Sequence, residues 1–235
     1  MSPDDTKQAA GTHAAQLVAS GMRVGLGTGS TANFFIDALA ARHLDIICVA
    51  TSKASFERAQ RQGLRLTSLD ETPELDVTVD GADEIGPGLS LIKGGGAALL
   101  CEKIVATASK RMIVIADESK CVRVLGRFPL PIEVIPFGLE ATRRQIESAC
   151  RALGLPGKLA VRQAKSGERL VTESGHYIID AHLQAIAEPK ALAKSLSVIP
   201  GVVEHGLFLD IATSAIIAGK NGIKEFTAQS FRPAA

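Results

Sequence analysis

MRVGLGTGSTANFFIDALAAR, residues 22–42, reads as a strand, a glycine turn and a helix in succession. Residues 22–26 form a short apolar run that ends in glycines, and residues 31–42 return to a helical period. Residues 46–50 (IICVA) are apolar throughout and β-branched at several places, as expected of a parallel strand covered on both faces. Upstream, residues 4–20 read as an amphipathic helix closed by Gly21, with Ala14, Leu17 and Val18 at helical spacing. Downstream, residues 52–62 read as a helix with Gly63 as C-cap, 64–66 and 77–79 as short strands, 96–109 as a helix and 112–116 as a strand. Strand and helix alternating through short connections predict an α/β layer around a mainly parallel sheet.

At Phe128-Pro129-Leu130-Pro131 the pattern changes, and the two prolines suit an extended crossover. Beyond them come a strand at 132–136, a helix at 139–153 ended by Gly154, and strands at 159–163 and 177–182. Residues 170–172 are expected to begin a hairpin arm, 189–196 a helix and 202–209 a strand. The order βαββαβ is the split βαβ sandwich with an antiparallel sheet, whose two ends lie close enough for insertion into another domain. Residues 215–218, followed by Gly219-Lys220-Asn221-Gly222, are expected to return to the first domain. The expected division is therefore 1–127 plus 210–235 as one α/β domain and 128–209 as an inserted α+β domain.

A chain of 235 residues with 46% hydrophobic side chains can bury roughly 70–75% of its extended surface. Its 26 Lys and Arg against 25 Asp and Glu leave a formal charge of +1, too little for bulk attraction to nucleic acid or an anionic membrane. Aromatics are 4%, with one Tyr and no Trp, which disfavours stacking platforms for bases. Cys48, Cys101, Cys121 and Cys150 show no CxxC pair and lie in or beside apolar runs, so they read as small buried hydrophobes. The five histidines are dispersed without HxxH or HExxH, and no metal site is expected. The opening Met1-Ser2-Pro3-Asp4-Asp5 is acidic, and no apolar stretch of signal-peptide or membrane-spanning type follows, so a cytoplasmic location is expected.

Chemistry gathers in three segments. Gly25-Leu26-Gly27-Thr28-Gly29-Ser30-Thr31 presents backbone N–H groups and hydroxyls at a helix N-terminus, suited to a phosphate. It lacks the third glycine of a dinucleotide fingerprint, and Thr51-Ser52-Lys53 stands where that fold places an acid after the next strand. Lys93-Gly94-Gly95-Gly96-Ala97-Ala98 opens a helix that carries Glu102 about two turns in, and three glycines imply close approach to the chain. Taken alone, Glu102 suits a solvated helix face beside Lys103 or Lys110 equally well. In Val79-Asp80-Gly81-Ala82-Asp83-Glu84 a strand runs into acids at the sheet edge where α/β proteins bind ligands, and Asp80 and Asp83 can both face a cleft there. Asp117-Glu118-Ser119-Lys120 ends on the same edge, and Lys120 and Lys7 are candidate phosphate partners.

Together these segments make the chain similar to the A-type ribose-5-phosphate isomerase family over nearly its whole length. The likeness is carried by residues 25–31 (GLGTGST), 79–85 (VDGADEI), 91–103 (LIKGGGAALLCEK), 115–120 (IADESK) and 129–136 (PLPIEVIP). The resemblance implies a Rossmann-like α/β domain with an inserted ferredoxin-like α+β domain. It implies interconversion of ribose 5-phosphate and ribulose 5-phosphate through a cis-enediolate, without a cofactor, by a homodimer or homotetramer. Glu102 matches the family's general base and Lys93 the oxyanion-stabilising lysine. Asp80 and Asp83 match acids credited with ring opening and hydroxyl protons, with the division between them left open. Thr28, Gly29, Ser30 and Thr31 match the substrate loop, Gly81, Ala82, Gly94, Gly95 and Gly96 line the substrate, and Lys7 and Lys120 match positions near the phosphate. Thr213-Ser214 departs from the Ala-Asp common in relatives, away from every matched catalytic position. A sugar-phosphate deaminase, CoA-transferase chemistry or a non-catalytic sugar-phosphate sensor on a similar fold is the alternative; the Lys93–Ala98 loop followed by Glu102 argues against it.

Overall fold

The computed structural model describes residues 2–233, so Met1, Ala234 and Ala235 of the expected domain limits lie outside the described residues. Strands β1 (Arg23–Leu26), β2 (Ile47–Ala50), β3 (Val77–Asp80), β6 (Met112–Asp117), β12 (Ser214–Gly219) and β13 (Gly222–Thr227) build one sheet in the order β13-β12-β6-β3-β1-β2. Every pairing is parallel except the β12–β13 hairpin. Helices α1 (Pro3–Gln16), α2 (Ser30–Ala40), α3 (Lys53–Arg61) and α4 (Leu99–Thr107) accompany this sheet. Period-two burial explains its layering. On β6, Ile113 and Ile115 pack into a core with Phe35, Ile36 and Leu39 of α2, while Met112, Val114 and Ala116 pack on the other side with Leu91, Phe208 and Phe231.

A second sheet takes all its strands from residues 130–205: β7 (Leu130–Val134), β8 (Lys158–Val161), β9 (Tyr177–His182) and β10 (Val202–His205), ordered β10-β7-β9-β8 and antiparallel throughout. Helices α5 (Leu139–Ala152) and α6 (Pro189–Ser197) complete the βαββαβ order read from the sequence. Ile146, Cys150, Leu192 and Leu196 of these helices bury against Ile132, Val134 and Ile179 of the strands. A third sheet of three short strands, β4 (Glu84–Ile85), β5 (Leu91–Ile92) and β11 (Leu207–Phe208), has the order β11-β5-β4.

Several expectations need correction. The first helix ends at Gln16, and Leu17 and Val18 leave it through tight turns whose carbonyl side is capped by the Arg42 guanidinium on Ala15 and Val18. Residues 64–66 form no strand; Leu66 makes a single bridge to Cys48. Residues 170–172 form no regular strand: Leu170 N–H bonds back to the Arg162 carbonyl beside a single Gln163–Arg169 bridge, and Thr172 then turns to bond His176. Pro131 lies inside β7, its carbonyl accepting from Gly206 N–H at 2.8 Å. The strand expected at 202–209 breaks at Gly206, so that β10 and β11 serve different sheets. A Cβ on Gly206 would stand 2.2 Å from the Lys93 carbonyl, so only glycine lets the chain cross there. Thr213 binds the Met112 carbonyl through both N–H and hydroxyl, at 2.9 Å each, and Ser214 opens β12.

Candidate active site

The sheet reverses its order of winding between β1 and β3, and loops leaving the C-terminal ends of these strands open the crevice typical of such a switch point. Gly27, just past β1, leaves room for the side chain at the end of β3. A Cβ there would come within 2.1 Å of Asp80 Oδ1 and 2.6 Å of its Cα. Asp80 Oδ1 fills that space and accepts from Thr28 N–H at 3.0 Å and Gly81 N–H at 2.7 Å. Lys93 follows β5 with its N–H bonded to the Gly206 carbonyl at 2.9 Å. Its ammonium donates to the Gly81 carbonyl at 2.7 Å and lies 2.9 Å from Asp80 Oδ2 and 3.3 Å from Glu102 Oε2.

Gly94 at φ 101 and Ala97 at φ 63 turn the chain after Lys93, so α4 begins only at Leu99. Glu102 therefore lies in the first helical turn, not two turns in, where the positive end of the helix favours its anion. The neighbouring Lys103 points elsewhere, donating to Glu204 Oε1 at 2.6 Å and to the carbonyls of His205 and Leu207 at 2.7 and 3.0 Å. It thereby pins α4 to the strand break at Gly206. Glu102 is not on a solvated face.

Asp80, Lys93 and Glu102 are 0%, 2% and 3% exposed. Two carboxylates and one ammonium in a dry site carry an excess negative charge, and one carboxyl must hold its proton tightly. Burial pushes Glu102 up to about 8; Lys93 opposes the rise and Asp80 adds to it. Burial also raises Asp80, against the Lys93 ammonium and the two backbone donors. Burial works against charge on Lys93, but Asp80 and Glu102 outweigh it and hold the ammonium above its ordinary value. Among the described residues Asp80 has three donors and Glu102 has the ammonium, so less opposes the rise at Glu102 than at Asp80. A carboxyl poised this way suits general acid–base work near neutrality.

One cleft is lined by Lys7, Thr28, Gly29, Ser30, Thr31, Gly81, Ala82, Asp83, Lys93, Gly94, Gly95, Gly96, Glu102 and Lys120. Asp80 lies beneath it, so the two acids do not both face the cleft; only Asp83 does, its Oδ2 accepting from Gly95 N–H at 2.8 Å. Gly29, at φ 114, leads into α2 without a side-chain cap, which leaves the first-turn N–H groups of Ser30 and Thr31 for an anion. Lys7 comes from α1 and Lys120 from the turn after β6. The Thr28 hydroxyl is engaged inward, 2.7 Å from Thr51 Oγ1, 2.7 Å from Ser52 Oγ and 3.1 Å from Ser55 Oγ.

That hydroxyl cluster was not singled out from the sequence, although Thr51 and Ser52 follow β2 and obey the same strand-end rule. Nor was Arg162, whose guanidinium reaches the carbonyls of Gly94 and Gly95 from just past β8. No sequence signal points to it. Among the described residues no cluster of three or more His, Cys, Asp or Glu side chains could hold a metal, and no helix is long and apolar enough to cross a membrane.

The family model described as ribose 5-phosphate isomerase A (phosphoriboisomerase A) matches residues 47–222. Proteins called ribose-5-phosphate isomerase A from Rhodopseudomonas palustris (strain HaA2) and Bradyrhizobium diazoefficiens are each 57% identical over 95% of this chain, covering 98% and 96% of their own lengths. A solved D-ribose-5-phosphate isomerase in complex with phospho-erythronic acid superposes with a TM-score of 0.90 at 36% identity, covering 97% of this chain and 100% of that one. Ribose 5-phosphate isomerase A from Neisseria gonorrhoeae gives 0.88 at 37% identity, covering 100% and 99%.

Proposed function

The chain belongs to the ribose 5-phosphate isomerase A family and interconverts ribose 5-phosphate and ribulose 5-phosphate; from that premise we propose how its cleft divides the work. Glu102 takes the proton from C2 of the open-chain aldose and returns it to C1. The electron pair left by the C–H bond forms the C1–C2 double bond of a cis-enediolate, and negative charge develops on oxygen. Lys93, held charged by Asp80, lies against Glu102 and meets that charge. Asp83, the acid that lines the cleft, moves the hydroxyl protons and assists ring opening, while Asp80 acts through Lys93. A positioned base contributes about 10²–10⁴-fold and an oxyanion donor about 10²–10³-fold.

The observation that carries this reading is the buried contact of Lys93 with both carboxylates, with Lys93 and Glu102 lining the cleft. The first-turn N–H groups of Ser30 and Thr31, with Lys7 and Lys120, bind the phosphate, whose binding energy orients the sugar. Thr28, Gly29, Gly81, Ala82, Gly94, Gly95 and Gly96 line the sugar. The same reading takes 1–127 plus 210–235 as the catalytic unit and 128–209 as the inserted one, supported by the second sheet drawing every strand from 130–205. It also takes the protein as a cytoplasmic homodimer or homotetramer, on the family resemblance. Deaminase, CoA-transferase and sensor readings are not favoured.

Isomerisation of ribose 5-phosphate in D₂O with EDTA tests the proton route. Deuterium is expected at C1 of the ribulose 5-phosphate formed. Product free of solvent deuterium would mean that the abstracted proton is returned without exchange or passes as hydride, and turnover retained by Glu102→Gln would then overturn the Glu102 assignment.

The pH profile gives a second check. The base must be ionised to accept the C2 proton, and burial raises Glu102 to about 8 in the folded protein. Hence kcat/KM, which reports the free enzyme, is expected to fall as pH drops below that value. A profile flat from about pH 6 to 9 would contradict a base of this pKa.

A further inference from the structure

Arg162 supports the glycine loop from outside the cleft, and its significance rests on the reading of Lys93 and Glu102 just given. Its side chain is only 13% exposed and that of Asp180 17%. Nε donates to Asp180 Oδ2 at 2.9 Å and Nη2 to Asp180 Oδ1, a bidentate pair. Nη1 forks between the carbonyls of Gly94 at 2.8 Å and Gly95 at 3.2 Å. The main chain beneath is fixed on both sides, Arg162 N–H donating to Ile178 at 2.8 Å and the Arg162 carbonyl accepting from Leu170 N–H at 2.9 Å. The guanidinium is thus anchored independently of the loop it holds.

In a trans peptide the C=O and N–H point in opposite directions, and no cis bond occurs among the described residues. The Gly94–Gly95 peptide is tied at both ends, its carbonyl on Arg162 and its N–H on Asp83 Oδ2 at 2.8 Å. The next peptide has its carbonyl on the same guanidinium, so the Gly96 N–H points away from Arg162, and Gly96 lines the cleft. Three successive glycines have little preference of their own for this orientation. Released, the Gly95 carbonyl would be free to turn toward the cleft, where its negative end opposes an enediolate, while the Gly94 carbonyl would keep the Ala97 N–H at 3.0 Å.

We propose that Arg162, oriented by Asp180, is a positioning residue for the isomerisation. It keeps the Gly95 carbonyl withdrawn and the N–H of the same peptide, that of Gly96, presented to the oxygen on which charge develops. It touches no reacting atom. Because that charge is largest in the transition state, the clamp acts on kcat more than on KM.

The test compares Arg162→Met and Arg162→Lys with Arg58→Met, which removes the partly exposed pair between α3 and Asp37 of α2. Arg162→Met is expected to lower kcat about tenfold to a hundredfold, as loss of positioning does, with KM for ribose 5-phosphate moving less than about threefold. Lysine keeps the charge without the fork, so Arg162→Lys recovers only part of the loss. Arg58→Met lowers thermal stability and leaves kcat unchanged. Should Arg162→Met not fold, Asp180→Asn, which keeps the guanidinium but loosens its hold, gives the same kcat-selective loss. A folded Arg162→Met or Asp180→Asn enzyme with kcat within about twofold of the parent overturns the proposal, as does a loss carried by KM alone. The low-pH limb of kcat/KM stays in place if the loop alone is disturbed; a displaced limb would locate the fault in the Lys93–Glu102 pair and overturn the positioning role. Glu102→Gln, measured alongside, distinguishes the two readings: if it retains turnover, the base assignment fails whatever Arg162 does.

Discussion

Glu102→Gln is expected to lower kcat by about 10²–10⁴-fold, the range supplied by a positioned general base, while KM for ribose 5-phosphate changes little. Glutamine matches the shape of glutamate but accepts no proton from carbon. The residues proposed for the phosphate, Ser30, Thr31, Lys7 and Lys120, lie on other elements and are untouched by the change. Stability should move in the opposite direction to activity. Glu102 has an ordinary value of 4.5 and a folded value of about 8, so between them the native state binds its proton more tightly than the unfolded chain does. Its contribution is therefore fully present below the lower value and lost as pH rises through the upper one. The variant lacks this titration. Thermal melts from pH 5 to pH 9 should show a flatter profile for Glu102→Gln, at least as stable as the parent at the alkaline end. Near-parental turnover would refute the base assignment, and parental pH dependence of stability would refute the raised carboxyl.

Lys93→Met should damage both activity and stability. Among the described residues it removes the only cation beside Asp80 Oδ2 and Glu102 Oε2, buried oxygens to which no hydrogen-bond donor other than that ammonium is directed. Loss of an oxyanion donor costs about 10²–10³-fold in kcat. Without the ammonium that opposes its rise, Glu102 also holds its proton still more tightly at neutral pH, adding to the loss. Breaking a buried ion pair by removing one partner costs about 3–5 kcal/mol. For a chain of this length that is a drop in Tm of roughly 10 °C. Calorimetry and steady-state kinetics on one preparation decide it. A variant melting within about 2 °C of the parent and turning over within about tenfold of it would mean that the ammonium does neither task. The contrast with Glu102→Gln is the diagnostic feature, since one change relieves the charge imbalance and the other worsens it.

How far the molecule could be read in advance differs from segment to segment. The βαββαβ order after Phe128 was legible because α5 and α6 each bury one stripe and the strands are short, mostly apolar runs set off by turn residues. Among the elements that escaped were the shortest ones: β4 and β5 have two residues each, a single strand period, and are held by pairing with each other and with β11, the far end of the run expected at 202–209. β13, with most of its side chains exposed, has no hydrophobic signature and is held by its hairpin with β12. The start of α4 was misplaced because Ala97, a strong helix former, occupies a left-handed turn fixed by its neighbours.

For the cleft, glycine positions, chain punctuation and residue type were enough to nominate Lys93, Glu102, Asp83 and the loop at 25–31, because such signals are local. The sequence alone also determined the alternation that makes the first unit α/β and the second α+β, since hydrophobic period is a property of consecutive residues. What only the tertiary structure decided is what lies opposite what. Asp80 proved to sit under the cleft, Glu102 proved to be dry, and Arg162 proved to hold a loop 68 residues before it in the chain. The proton affinity of a carboxyl and the orientation of a peptide depend on desolvation and on distant partners. Neither exists until the chain has folded.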